Sequence, residues 1–239
     1  MNFAFSLNCR LRGMQHNNEH HPAFEEYCEC IFELEEDNVE LIQARIAERL
    51  KVSRASVSEM IKRMESEGLV NLSGPHIALT DSGRNLAEGI VRKHRLAECF
   101  LIDVLGLSWS TAHHEACKWE HIITDEVEVA LAKMLGNPTA CPHGNPIPGS
   151  HHHKMVLTPL NTIDLNGSFT VVRISEELEE TTGALDTLEA NQIYPGRVGK
   201  ITAHNDDGSV SVLMTESSDS KPTSIDRFIS SRLLVTSKN

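Results

Sequence analysis

The sequence predicts a mainly α protein with small β elements, arranged in three parts. Three observations carry that reading. Apolar residues recur at helical spacing through most of the stretch up to about residue 134. A Pro- and Gly-rich stretch follows. The last third then carries short apolar runs punctuated by Gly and Asp, the pattern of strands joined by turns.

Residues 1–21 are polar and without periodicity, and read as a flexible tail. The start, Met1 to Cys9, lacks the basic region and full apolar stretch of a signal peptide. Phe24, Tyr27, Cys28, Ile31, Phe32 and Leu34 mark a first helix, which Glu35 to Asn38 closes. A short second helix runs near Leu41–Leu50, with Ile46, Ala47 and Leu50 inward. Lys51-Val52-Ser53 is a brief turn. Ser53 is placed to cap a third helix from Arg54 to about Glu67, with Val57, Met60, Ile61 and Met64 facing its core. Gly68 stands where a left-handed C-terminal residue belongs. Leu69–Leu72 and His76–Leu79, separated by Ser73-Gly74-Pro75, read as a β-hairpin. Helix, helix, tight turn, helix and hairpin make a winged helix-turn-helix over 22–88. A long helix from about 80 to 102, a break at Leu105-Gly106-Leu107 and another helix from Ser110 to Met134 form a helical domain over 89–140. Residues 141–160 read as a linker. Strands at Ser168–Ile174, Arg197–Ala203, Val210–Met214 and Arg232–Thr236 make 161–239 a small SH3-like β-barrel.

The 239 residues carry a formal charge of −12, which by itself argues against a nucleic-acid partner. Locally the sign reverses: between Leu41 and Arg95 there are ten Lys/Arg and six Asp/Glu, a net of +4. The acidity lies elsewhere, notably at Glu176–Glu180. The six cysteines include no Cys-x-x-Cys pair, which fits a reducing cytoplasm better than an exported disulfide scaffold. No apolar run is long enough to span a membrane.

The sharpest chemical signal is His113-His114-Glu115-Ala116-Cys117-Lys118-Trp119-Glu120-His121. On a continuous helix with His113 at zero, Cys117 falls at about 40°, Glu120 near −20° and His121 at about 80°. Thiolate, carboxylate and imidazole on one arc suit a first-row transition metal. A polar face that merely contains His and Cys is an equal reading of the spacing alone. His94 and Glu98, one turn apart, are either a second ligand pair or an ordinary solvated pair. His143 and His151-His152-His153 fall in the linker; the triple His reads as a metal buffer, a second sensor or simply flexible polar chain. Cys141 is expected to be inert.

Four stretches carry a family resemblance: Ala44-Arg45-Ile46-Ala47-Glu48-Arg49-Leu50, Val91 to Glu98, Glu115 to His121, and Gly144-Asn145-Pro146-Ile147-Pro148-Gly149. Over about residues 22–150 the chain resembles the diphtheria toxin repressor family of iron- and manganese-dependent regulators. The resemblance implies a homodimeric, metal-activated repressor that binds a palindromic operator in double-stranded DNA, with one or two dimers per operator. It implies two metal sites per subunit. The activating site takes Glu26 from the first helix with Cys117, Glu120 and His121; the ancillary site takes His94, Glu98 and His113. The third domain lends further ligands in the family. Glu180, or its neighbour Glu179, is the candidate here, against the reading of 176–181 as an acidic solvated loop. Iron-sensing members carry Met at the position of Glu26. Manganese-sensing members carry an acid there and usually lack the cysteine. Glu26 with Cys117 combines one feature of each, so Fe(II) or Mn(II) is the expected corepressor, with Zn, Co or Ni able to substitute in vitro.

Ser53, Arg54, Ala55, Ser56 and Glu59 lie on the first turns of the third helix, where a recognition helix meets base edges. Arg45, Arg49, Arg54 and Arg63 are the expected phosphate contacts. Two other functions compete. A metal-independent winged-helix regulator would use the His/Cys face structurally. A metalloenzyme would use Glu120 as a base, but no nucleophile motif or Gly-rich cradle supports it, so no enzymatic activity is expected.

Overall fold

The computed structural model describes residues 22–153, 155–215 and 221–238. The expected flexible tail at 1–21 lies outside the described residues. The chain divides into two compact units. One runs up to His94 and adds Ala116–Glu128; the other takes Arg95–Glu115 and Val129 onward. The division falls inside the expected helical domain, and its segments are shared between the units.

In the first unit α1 (Pro22–Glu36), α2 (Gln43–Leu50) and α3 (Arg54–Ser66) precede a hairpin of β1 (Val70–Ser73) and β2 (His76–Leu79). Then comes the long α4 (Asp81–Cys99). Ile31, Ile46, Val57, Ile61, Met64 and Ile77 form its apolar core. The turn chemistry is local. Ser53 caps α3 by accepting from the Ser56 backbone N–H at 3.1 Å. Gly68, at φ 70°, ends α3: its N–H bonds Glu65 O at 3.0 Å, and the Leu69 N–H bonds Met64 O at 2.9 Å, a Schellman closure. The hairpin is antiparallel from Val70↔Leu79 to Ser73↔His76. Gly83 seats the start of α4 against it, since a Cβ there would stand 2.0 Å from Leu69 O.

The expected helix from Ser110 to Met134 is two helices, α5 (Trp109–Trp119) and α6 (Asp125–Met134). Glu120 and His121 therefore stand beyond a helix end, and the angular arc drawn for a continuous helix does not apply to them. Their approach to other donors is set by the turn at 120–124, where Ile122 and Ile123 N–H both bond Trp119 O at 2.9 Å.

In the second unit α4 runs into one π-helical turn (Phe100–Val104). Its sheet holds β3 (Thr158–Pro159), β4 (Ser168–Ile174), β5 (Val198–His204), β6 (Val210–Met214), β7 (Thr223–Ile225) and β8 (Leu233–Lys238). The strands are antiparallel in the order β3-β8-β4-β5-β6-β7. The four expected strands thus appear within two residues of their places. Two short helices between β4 and β5, α7 (Glu176–Glu179) and α8 (Ala184–Ala190), were not anticipated. Phe169, Val171, Leu178, Leu188, Ile201, Val212 and Leu233 fill the core. No helix among the described residues is long and apolar enough to cross a membrane.

The linker expected over 141–160 is, as far as Ser150, a packed part of this unit. Cys141, His143, Asn145 and Ile147 are buried. Asn145 donates to Ile174 O at 3.0 Å and to Glu179 at 2.5 Å, and accepts from Arg173. Gly144, at φ 88°, lies so close to β4 that a Cβ would meet Val172 O at 2.0 Å. Proline and glycine mark irregular backbone, and here that backbone is fixed by buried polar partners.

Candidate metal centres and nucleic-acid face

The first unit gathers a donor set around Glu120, which is 1% exposed. Its Oε2 lies 2.5 Å from His94 Nδ1 and its Oε1 lies 3.2 Å from His121 Nε2. α1 brings two more carboxyls to the same imidazole: Glu26 Oε1 is 3.1 Å from Nε2, and Glu25 Oε2 is 3.1 Å from Nδ1. Donor atoms of Glu26, Glu120 and His121 lie within 4.8 Å of one another, as do those of His94, Cys117 and Glu120. The four residues expected at the activating site are divided between these two groups, which share Glu120.

The electrostatics follow from that crowding. Burial alone would push Glu120 up, but hydrogen bonds to His121 and His94 outweigh it and hold the carboxyl at about 2. Burial would likewise lower His121, yet hydrogen bonds to Glu120, Glu25 and Glu26 hold its proton up to about 12. Three carboxyls around two imidazoles and a thiol, dehydrated together, form a set that a divalent cation would balance; the donor types fit a first-row metal.

The second unit holds another set. His113 Nδ1 is 3.2 Å from Glu98 Oε1 and 3.3 Å from Glu179 Oε2, and Glu180 Oε1 is 3.9 Å from its Nε2. His143 Nδ1 is 2.8 Å from Glu179 and 3.2 Å from Glu98. Glu98, Cys141 and His143 have donor atoms within 4.8 Å. Burial would lower His143, but Glu179 and Glu98 raise it well above the usual imidazole range. The segment read as an acidic solvated loop is thus a short helix, and it turns Glu179 into this cluster. His94, which the resemblance assigns to the second set, stands one turn before Glu98 on α4. Cys141, expected to be inert, lies in this set, its thiol raised to about 12 chiefly by burial. Sequence reasoning passed over His143 and Glu25. The signals were available: Cys141-Pro142-His143 is a compact donor pair, and Glu25 stands, with Glu29 one turn on, among the apolar residues of α1.

The candidate nucleic-acid face is on α2 and α3. Ser53, Arg54, Ala55, Ser56 and Glu59 are all exposed on the first turns of α3, and Arg63 is exposed in its last turn. Arg45 is open to solvent, 2.9 Å from Glu48. Arg49 departs from expectation. Its side chain is only 8% exposed and points at Glu33 and Asp37, each 3.7 Å away, because its place on α2 faces the end of α1. It is committed to the fold and not open to a phosphate.

Two family models match the chain: the iron dependent repressor N-terminal DNA binding domain over residues 21–75, and the iron dependent repressor metal binding and dimerisation domain over 80–149. The iron-dependent repressor IdeR of Mycobacterium tuberculosis is 50% identical over 133 residues, 55% of this chain and 58% of that protein. The diphtheria toxin repressor of Corynebacterium diphtheriae is 48% identical over 126 residues, 52% and 56% of the two chains. The match thus spans a little over half the length of these curated relatives. Solved structures match further. A manganese-dependent transcriptional repressor in complex with manganese is 29% identical at a TM-score of 0.79, covering 90% of this chain and all of that one. The metal-dependent transcriptional regulator MtsR is 32% identical at a TM-score of 0.72, covering 91% and 99%.

Proposed function

The chain belongs to the iron-dependent repressor family, and from that premise we propose that it is a dimeric transcriptional repressor switched on by Fe(II) or Mn(II). The observation that carries the reading is Glu120, shared between the two donor groups that unite α1, α4 and the α5–α6 turn. A cation held by Glu26, Cys117, Glu120 and His121 ties the first helix to the helices behind the recognition helix. A metal activates only by binding the DNA-competent arrangement better than the others. The second set, Glu98, His113, Glu179 and His143 with Glu180 beside them, is the ancillary site; the resemblance adds His94, whose Nδ1 lies 2.5 Å from Glu120 in the first set. Cys117 inclines the first site slightly toward Fe(II), while the carboxyls of α1 favour Mn(II). Two recognition helices of a cytoplasmic homodimer read a palindromic operator, with half-sites about one helical turn apart.

The test is anaerobic titration of the metal-free chain with Fe(II), and separately with Mn(II), against a labelled palindromic operator selected from random DNA. Binding that appears only with metal supports the proposal, and the ratio of midpoints identifies the ion. Equal binding in chelator removes the metal switch and leaves a metal-independent regulator.

Metal uptake should also release protons. Hydrogen bonds to Glu120, Glu25 and Glu26 hold the His121 proton well above the usual imidazole range, so a cation that takes Nε2 at neutral pH displaces one. The sign is that protons compete: apparent affinity rises with pH, by about tenfold per unit for each proton released. Calorimetry in two buffers of different ionisation enthalpy should count at least one proton per first site; a count of zero contradicts the arrangement.

The DNA contacts separate by burial. Alanine at Arg45, Arg54 or Arg63 should each reduce the slope of log affinity against log salt by about 1. Arg49→Met should leave the slope unchanged and lower the melting temperature, because that guanidinium serves Glu33 and Asp37.

A further inference from the structure

Glu25 lies on the side of His121 opposite the converging donors. The imidazole has two nitrogens and the structure uses them differently. Nε2 faces two carboxyls, Glu26 at 3.1 Å and Glu120 at 3.2 Å. Nδ1 faces one, Glu25 Oε2 at 3.1 Å. A neutral imidazole can give only one nitrogen to a cation, and the other keeps its hydrogen and needs an acceptor. Glu25 is 2% exposed and the His121 side chain 6%, so water is a poor substitute for that acceptor. The consecutive positions of Glu25 and Glu26 on α1 place one carboxyl at each edge of the ring.

From this geometry we infer that Glu25 is a positioning residue: it accepts the Nδ1 hydrogen of His121 and so presents Nε2 to the activating metal. The inference rests on the proposed metal site. It gives α1 two distinct tasks, one carboxyl at the cation and one behind the ligand. The Glu25 carboxylate also raises the basicity of the ring as a donor, so metal affinity, and not only ring orientation, depends on it.

The test compares Glu25→Gln with Glu25→Leu in the full chain, titrating each metal-free protein with Co(II). The thiolate-to-cobalt absorption that disappears in a Cys117→Ser control identifies the first site. Leu has a volume near that of Glu and offers no acceptor; Gln keeps an acceptor oxygen in place. Glu25→Leu should weaken the first site by about 10- to 100-fold. Glu25→Gln should recover at least half of that loss on a logarithmic scale. The band remaining in the Cys117→Ser control should be unchanged in both variants. Equal affinities for Gln and Leu, whether both normal or both weakened, overturn the inference, because the acceptor is then irrelevant. If the unaltered chain takes up no Co(II), Fe(II) or Mn(II) through Cys117, the proposed function fails and the inference with it. Normal uptake by the unaltered chain with no Gln–Leu difference sinks the inference alone.

Discussion

Glu120→Gln should abolish metal-stimulated operator binding, lowering it about 100-fold to the level of the metal-free chain. Gln keeps the size of the side chain and one acceptor oxygen, so the turn at 120–124 has no steric reason to move. What is lost is the charge. Glu120 is the one donor present in both groups, with one oxygen toward His94 and the other toward His121. An amide can offer only a neutral oxygen, and its NH2 would face a donor already bearing hydrogen. Affinity of the metal-free protein for DNA should not change, nor should uptake at Glu98, His113, Glu179 and His143. Glu26→Ala should act in the same direction with the fold intact, since Glu26 sits at the edge of the set with 12% of its side chain exposed. Fluorescence anisotropy with and without Mn(II) reads both variants. Metal dependence retained in Glu120→Gln would mean that the switch lies elsewhere.

The parts of the fold that were legible in the sequence are those whose cause is local. Ser53 caps the helix that follows it, and Gly68 closes that helix with two backbone bonds, each within five residues of its partner. The four strands of the last domain declared themselves by alternation and turn residues. The misread parts have causes distant in sequence. Nothing between Glu120 and Thr124 is Pro or Gly, so the helix was extended through it. His121, in that turn, bonds partners as far away as Glu25 and Glu26. Residues 141–150 look like a linker because proline and glycine exclude helix, but Asn145 and His143 are held by Ile174, Glu179 and Glu98. The candidate ligands were found because ligand chemistry leaves a residue-type signature on a helix. Glu25 and His143 were missed because one shared a helix face with apolar neighbours and the other lay in apparent loop. Arg49 departs for the complementary reason: the sequence displays its charge but not that its side of α2 faces Glu33 and Asp37 of the α1 end.

Arg95→Met should destabilise the second unit by about 3–5 kcal/mol, the cost of leaving a buried carboxylate without its cation. Arg95 is 0% exposed and Glu176 3%. Their Nη2–Oε1 distance is 2.6 Å, the Arg95 Nε adds a second contact to the same oxygen at 3.2 Å, and Nη1 donates to Pro146 O. One guanidinium therefore joins α4, the 141–150 turn and the helix after β4. That same helix carries Glu179, so the pair holds one wall of the second donor set in place. Unfolding can be followed through Trp109, buried in the core of this unit, in a Trp119→Phe background that removes the chain's other tryptophan. The midpoint should fall by about 10 °C. Glu176→Leu added to Arg95→Met should restore most of the loss, because two apolar side chains in that space no longer carry an unpaired charge. A loss below about 0.5 kcal/mol for Arg95→Met alone would show that the carboxyl finds another partner or is protonated at little cost. With the expected result, the β-domain is an integral brace for the second donor set: losing that one cation weakens metal uptake at Glu98, His113 and His143 without touching a ligand.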